Sequence, residues 1–311
     1  VLQKEDEVRE EFGRREYGSL VHQSLCAFMK PGSDGYNALL GGHSKPAREA
    51  LRACARVEFL EQGDDTAGRR LWLENFMKSI PSVVAYEVDR FKDWRPVLLE
   101  KKFVLPLDDL LKWLNRQNTQ GNLGLEIPKA PTKGEPIILR GTIDRVDEKV
   151  SDLDPSRKLA AIIDYKTGKL PKPKDVIELN DLQILLYAVA LEVGAVQDDS
   201  ESNWLTAEGF YYEIGQDQSG LTGKRHLPCD DAQGRGILID GVLALANLAI
   251  QAADPKQKFG LIPRERDGEG EPELPCRYCD FRGVCRLEER KLKEPTALKL
   301  DKIVNRKEGG W

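Results

Sequence analysis

An α/β fold with a mixed central β-sheet flanked by helices is what this sequence predicts, on three observations. Runs rich in β-branched and alternating apolar residues, separated by turn-forming loops, fall in the middle of the chain at Val97–Leu107, Pro136–Val150 and Leu159–Tyr165. Stretches rich in Ala, Leu, Arg and Glu with helical spacing precede them. Helix, strand and helix patterns then follow in turn, an order that packs as layers around one sheet.

From Glu5 to about Phe28 the chain is charged and helix-favouring, with Leu20, Val21, Leu25 and Phe28 near helical spacing. Pro31-Gly32-Ser33-Asp34-Gly35 breaks that helix. The region that follows is mostly helical, with patterns over Pro46–Leu60 and Arg69–Lys78, so residues 29–95 read as a helical insertion. After the three strands, Asp181–Val193 has helical composition, Glu208–Ile214 reads as a further strand, and Gly236–Ala253 as a helix. A Gly-, Glu- and Pro-rich stretch, Pro263–Pro275, is the linker candidate and introduces a cysteine-containing segment, residues 263–311. We expect one domain over residues 1–311.

Composition narrows the function classes. With 47 Lys+Arg against 52 Asp+Glu the formal charge is −5, so there is no global basic surface and any polyanion site must be local. The chain is 40% hydrophobic and 32% charged over 311 residues, enough for a sizeable core, and wholesale disorder is excluded. The longest unbroken apolar stretch, Ile184–Leu191, is far short of the roughly 20 residues that cross a bilayer. The first residues are acidic and lack an apolar signal core, and the missing initiator Met suggests a fragment of something longer. Three of the six Cys cluster near the end, which looks like a metal site in a reducing compartment, so a cytoplasmic location without membrane partners is expected.

The chemistry concentrates in Gly141-Thr142-Ile143-Asp144-Arg145-Val146-Asp147 and, after a polar loop, Ile162-Ile163-Asp164-Tyr165-Lys166-Thr167-Gly168. Side chains alternate along a strand, so Asp164 and Lys166 share one face while Tyr165 points to the other. If Asp144 lies opposite on a paired strand, two carboxylates and an ammonium converge. Carboxylates about 4 Å apart repel by roughly 4 kcal/mol at an effective dielectric of 20, so they must share a proton, pair with Lys166 or hold a cation. Such oxygen ligands suit Mg²⁺ or Mn²⁺, and a hard cation beside a lysine suits phosphodiester hydrolysis. The bland alternative is a structural Asp144–Lys166 salt bridge at a sheet edge. Gln183 and Tyr187, four residues apart, project from one helix face, where an amide and a phenol can bond phosphate oxygens or the site. Taken alone, Tyr187 in an apolar helix is core, and His22 is a satisfied structural histidine.

In this order, Gly-x-x-x-His (ending at His22), Gly-x-x-Asp-Arg-x-Asp, Asp-Tyr-Lys-Thr-Gly and Gln-x-x-x-Tyr resemble the PD-(D/E)XK nuclease superfamily, in its RecB/AddB nuclease-domain branch. The resemblance spans His22 to Cys285 and implies a restriction-endonuclease-like core. Carried over by motif, it makes His22, Asp144, Asp164 and the backbone carbonyl of Tyr165 ligands of Mg²⁺ or Mn²⁺ and Lys166 the catalytic lysine. Gln183 and Tyr187 then support the site and the DNA, while Asp147, and similarly Glu100 on the preceding strand, act behind the ligands or structurally.

Cys276, Cys279 and Cys285 form a C-x2-C-x5-C spacing, one ligand short of a tetrahedral zinc or a four-cysteine cluster. The spacing resembles the iron–sulfur staple of AddB-type nucleases and CRISPR-associated exonucleases, whose fourth cysteine precedes the histidine helix. That implies a [4Fe–4S] cluster in the full-length parent, incomplete or absent in this fragment. Cys26, one turn after His22, faces the active-site or core side and is a poor substitute, Cys54 and Cys229 remain candidates, and zinc or three free thiols are the alternatives.

DNA contacts are expected at Lys169, Lys172 and Lys174 directly after the catalytic motif, and at Arg286, Arg290, Lys291, Lys293, Lys299 and Lys302, where a solvated helix face is the alternative. The resemblance implies cleavage of single-stranded or unwound DNA ends in recombination and double-strand-break repair, within a helicase-like subunit that works with a helicase–nuclease partner. A non-catalytic DNA-binding or scaffolding module that keeps the nuclease fold is the rival expectation.

Overall fold

The computed structural model describes residues 13–61, 66–131, 135–150, 158–168, 170–171, 179, 181–197, 203–214, 221–229 and 231–254. Three helices open the described chain, α1 (Arg14–Met29), α2 (Asp34–Leu40) and α3 (Ser44–Arg56), the last running into a π-helical turn at Val57–Glu61. α4 (Ala67–Arg90), β1 (Trp94–Pro106), α5 (Leu107–Gly121), β2 (Ile138–Lys149) and β3 (Lys158–Lys166) follow. α6 (Gln183–Glu192), β4 (Trp204–Ile214), β5 (Leu221–Pro228) and α7 (Ala232–Ala253) complete it.

The five strands form one sheet in the order β1-β2-β3-β4-β5. β3 and β4 run parallel, linked across α6, and the other neighbours are antiparallel, so the sheet is mixed, as expected. β3 is central and covered on both faces: Ala160, Ala161, Ile162 and Ile163 are fully buried. Its alternation divides the core. Ala160 and Ile162 pack with α5, α6 and α7, whereas Ala161, Ile163 and Tyr165 pack with α1, α3 and α4. Residues 29–95 thus carry α3 and α4, which cover this second face together with α1.

Several elements differ from the sequence reading. α4 runs on past Lys78 to Arg90, through Pro81, because Ile80, Val83, Val84, Glu87 and Arg90 are buried on its inner face and packing outweighs local propensity. α5 was not anticipated: β1 stops at Pro106, and Leu107, Leu110, Leu111 and Leu114 recur at helical spacing on a buried face. β5 carries no apolar alternation, and its pairing with β4 makes it a strand. α7 starts earlier than Gly236 and is long and apolar enough to cross a membrane by length and composition. Asp240 interrupts its apolar run, which is why Ile184–Leu191 reads as the longest. Nine of its residues, among them Leu238, Val242 and Leu243, are buried in the core.

α6 is held at close range from both sides. A Cβ on Gly209 of β4 would lie 2.3 Å from Ile184, and one on Gly241 of α7 would lie 2.3 Å from Leu185. These two glycines let the helix that carries Gln183 sit tight against β4 on one side and α7 on the other.

Candidate active site

The site forms where β2 and β3 part. Their pairing runs from Glu148↔Ala160 to Arg145↔Ile163 and ends there, so Asp144 and Asp164 follow at the point of separation. Side chains take over the ladder for the next residue, since buried backbone groups need partners. The Tyr165 N–H donates to Asp144 Oδ2 (2.9 Å), and the Tyr165 carbonyl accepts from His22 Nε2 (3.0 Å). His22 comes from α1, 143 residues away in sequence.

The other imidazole nitrogen, Nδ1, lies 3.5 Å from Asp144 Oδ2 and 3.6 Å from Glu100 Oε1. Glu100 reaches this place by register: the pairs Leu99↔Arg145 and Lys101↔Ile143 set it across from Asp144. Its backbone is in the left-handed region, φ 48°, inside a strand, a strain on the order of 1 kcal/mol for a residue with a Cβ. Burial pulls the His22 pKa down, but hydrogen bonding and charge from Asp144 and Glu100 outweigh it and push it up to about 10. A protonated His22 would stand as the cation between the two carboxylates when no metal ion is bound.

On the opposite side of Tyr165, Lys166 Nζ lies 2.6 Å from Asp164 Oδ2 and donates to Gln183 Oε1 at 2.7 Å. Gln183 Nε2 donates to Asp164 Oδ1 and to the Tyr187 hydroxyl, both at 2.7 Å. The salt bridge weighed between Asp144 and Lys166 is thus made by Asp164 instead, the residue on Lys166's own strand and face. Asp164 Oδ2 is buried with no hydrogen bond beyond that ion pair. Burial, and then the nearby Asp144 charge, push the Asp164 pKa up to about 7 against the pull of Lys166. Tyr187 is both core and site: its ring packs edge-on to Phe103 and its hydroxyl meets Gln183. Burial raises its pKa, so it stays a phenol.

Asp147, itself fully buried, lies in an ion network away from this cluster. Arg145 donates to Asp147 Oδ1 (2.5 Å) and Oδ2 (2.9 Å), to Glu87 of α4 (2.8 and 2.9 Å) and to the Tyr165 hydroxyl (3.0 Å). Arg90 adds bonds to Asp147 (2.7 Å) and Glu208 (3.2 Å). The network bolts α4 to β2 and holds Tyr165 from behind. Sequence reasoning missed Glu87 and Arg90, and it set Glu100 behind the ligands, whereas Glu100 lies 3.6 Å from His22 Nδ1; the one available signal was Glu100's place on the strand preceding Asp144.

Cys276, Cys279 and Cys285, the linker Pro263–Pro275, Lys169, Lys172, Lys174 and the basic residues after Arg282 lie outside the described residues. Cys26 lines a groove with His22, Gln23, Lys30 and Glu100, on the site side of α1. Burial and the carboxylates of Glu100 and Glu58 raise its pKa, which keeps it a thiol.

The donors fit a hard divalent ion. Among the described residues, His22, Glu100 and Asp144 each present one ligand atom within 4.8 Å of the others. The Tyr165 carbonyl adjoins them, and one imidazole with oxygen donors suits Mg²⁺ or Mn²⁺. Asp164 is not in that group of three; its carboxylate is turned to Lys166 and Gln183. Comparison with known proteins agrees with this chemistry: a family model described as the PD-(D/E)XK nuclease superfamily matches residues 1–286. No curated protein matches the chain.

Proposed function

The chain belongs to the PD-(D/E)XK nuclease superfamily, and on that premise we propose that it is a metal-dependent deoxyribonuclease acting on single-stranded or unwound DNA. The observation that carries the reading is Lys166, held between Asp164 and Gln183 beside the His22–Glu100–Asp144 group. His22, Glu100, Asp144 and the Tyr165 carbonyl are the residues that would hold the ion, with Asp164 next to them. A divalent ion bound there supplies Lewis acidity toward the scissile phosphate and acidifies a water. Lys166 gives one of its three N–H donors to Gln183 and is ion-paired with Asp164, so it keeps donor capacity for the attacking water or a phosphate oxygen. Gln183 and Tyr187 hold Asp164 and Lys166 in place.

The test is cleavage of end-labelled single- and double-stranded DNA with Mn²⁺, Mg²⁺ or EDTA. Asp164→Ala and Lys166→Ala should abolish metal-dependent cleavage and leave the fold intact. Preserved cleavage in both variants would sink the assignment, and DNA binding without cleavage by the parent chain would favour the scaffolding module.

The narrower parts of the reading rest on the order of the motifs: a RecB/AddB-like subunit that processes ends in recombination and double-strand-break repair with a helicase–nuclease partner; a cytoplasmic location rests on the clustering of the cysteines instead. The [4Fe–4S] cluster rests on the C-x2-C-x5-C spacing. Iron and sulfide analysis of anaerobically purified protein, with and without an N-terminal extension, tests it.

A further inference from the structure

We propose that Tyr211 is a positioning residue for Lys166, a proposal that rests on reading Lys166 as the catalytic lysine. Tyr211 stands on β4 in register with Asp164, and neighbouring residues of parallel strands point to the same face. Its ring therefore lies beside the Asp164–Lys166 pair, with the Lys166 ammonium 5.4 Å from the ring centroid.

Its hydroxyl works at the first turn of α6. A helix leaves its first N–H groups unsatisfied, and a side chain at the N-cap commonly accepts from them. The N-cap here is Leu182, which makes no such bond. Two residues from outside the cap replace it. The Gln183 N–H donates to Asp181 Oδ1 (3.2 Å), and the Ile184 N–H donates to the Tyr211 hydroxyl (3.2 Å). Tyr211 in turn donates to Asp181 Oδ1 at 2.6 Å, closing the arrangement. Burial and the Asp181 carboxylate raise the phenol pKa, so this donor is kept. Gln183, whose backbone is secured here, is the residue that orients Lys166 and Asp164. The fully buried Tyr211 thus sets its ring beside the Lys166 ammonium and its hydroxyl against the helix turn that carries Gln183.

The test is single-turnover cleavage of end-labelled single-stranded DNA with Mn²⁺, for the parent chain, Tyr211→Phe, Asp181→Ala, Gln183→Ala and the double variant Tyr211→Phe/Gln183→Ala. Tyr211→Phe and Asp181→Ala should each slow the rate about tenfold, the scale of one lost hydrogen bond, with half-saturation by DNA and by Mn²⁺ unchanged. The double variant should be no slower than Gln183→Ala, since the hydroxyl acts through that residue. Asp181 is half-buried, so its variant carries the test if Tyr211→Phe melts early. Rates within twofold of the parent, effects that multiply in the double variant, or a loss confined to half-saturation would overturn the proposal. A parent chain that does not cut removes the nuclease reading itself, a separate outcome.

Discussion

The Lys166 ammonium donates to Gln183 Oε1 across 2.7 Å, and because an ammonium has no acceptor, this contact decides how the amide faces. Nε2 is left toward Asp164 Oδ1, which accepts from it, so both polar ends of Gln183 are matched. Gln183→Glu keeps the shape and puts a second carboxylate against Asp164. We expect its single-turnover cleavage rate to fall roughly a hundredfold, on the scale of a lost charge-assisted hydrogen bond plus like-charge repulsion. A rate within threefold of the parent would show that amide orientation is irrelevant.

The ion-free site should weaken the fold as pH rises. Asp164 has a folded pKa of about 7, above its ordinary value of 3.8, so its contribution is fully present below about pH 4 and lost as pH rises through 7. His22, at about 10 against 6.5, contributes fully below about 6.5 and loses that contribution through pH 10. Urea titrations in EDTA should show stability falling across both windows. Asp164→Asn should flatten the lower window and be more stable than the parent at pH 8, although inactive.

Metal binding can be read without any cleavage assay. Mn²⁺ at about one hundred times its dissociation constant should stabilise the fold by about 2.7 kcal/mol, seen as a rise in melting temperature that EDTA reverses. His22→Ala, Asp144→Ala and Glu100→Gln should each reduce that rise. An undiminished rise in Glu100→Gln would remove Glu100 from the ligand set.

Arg145 is a matter of folding rather than chemistry. Arg145→Met leaves Glu87 buried without its partner and Asp147 with Arg90 alone. Breaking a buried ion network from one side costs about 3–5 kcal/mol, so the urea midpoint should drop sharply. A midpoint close to the parent's would show that Arg90 suffices to hold the network.

Local spacing made much of this site legible. Asp164 and Lys166 share a face because strand side chains alternate, and Gln183 and Tyr187 share one because four residues make about a helical turn. The mixed sheet could be read from Val97–Leu107, Pro136–Val150 and Leu159–Tyr165, since each run carries its own apolar pattern. α5 and β5 escaped for opposite reasons. α5 begins at Leu107 directly after the last residue of β1, with no connecting loop to mark the change, and β5 has little apolar pattern of its own.

The sequence by itself determined which residue types stand together along the chain: an aspartate and a lysine two apart on a strand, a glutamine and a tyrosine one turn apart on a helix, and a histidine on the opening helix. Only the tertiary structure decided which distant groups join them. Glu100 enters through the register of β1 on β2, the Tyr165 N–H turns to Asp144 because β2 and β3 separate just there, and Tyr211 meets Asp181 because α6 packs on β4 past Gly209. Those contacts depend on strand register and on backbone approach across the core, distances that a local periodicity of two or 3.6 residues does not encode.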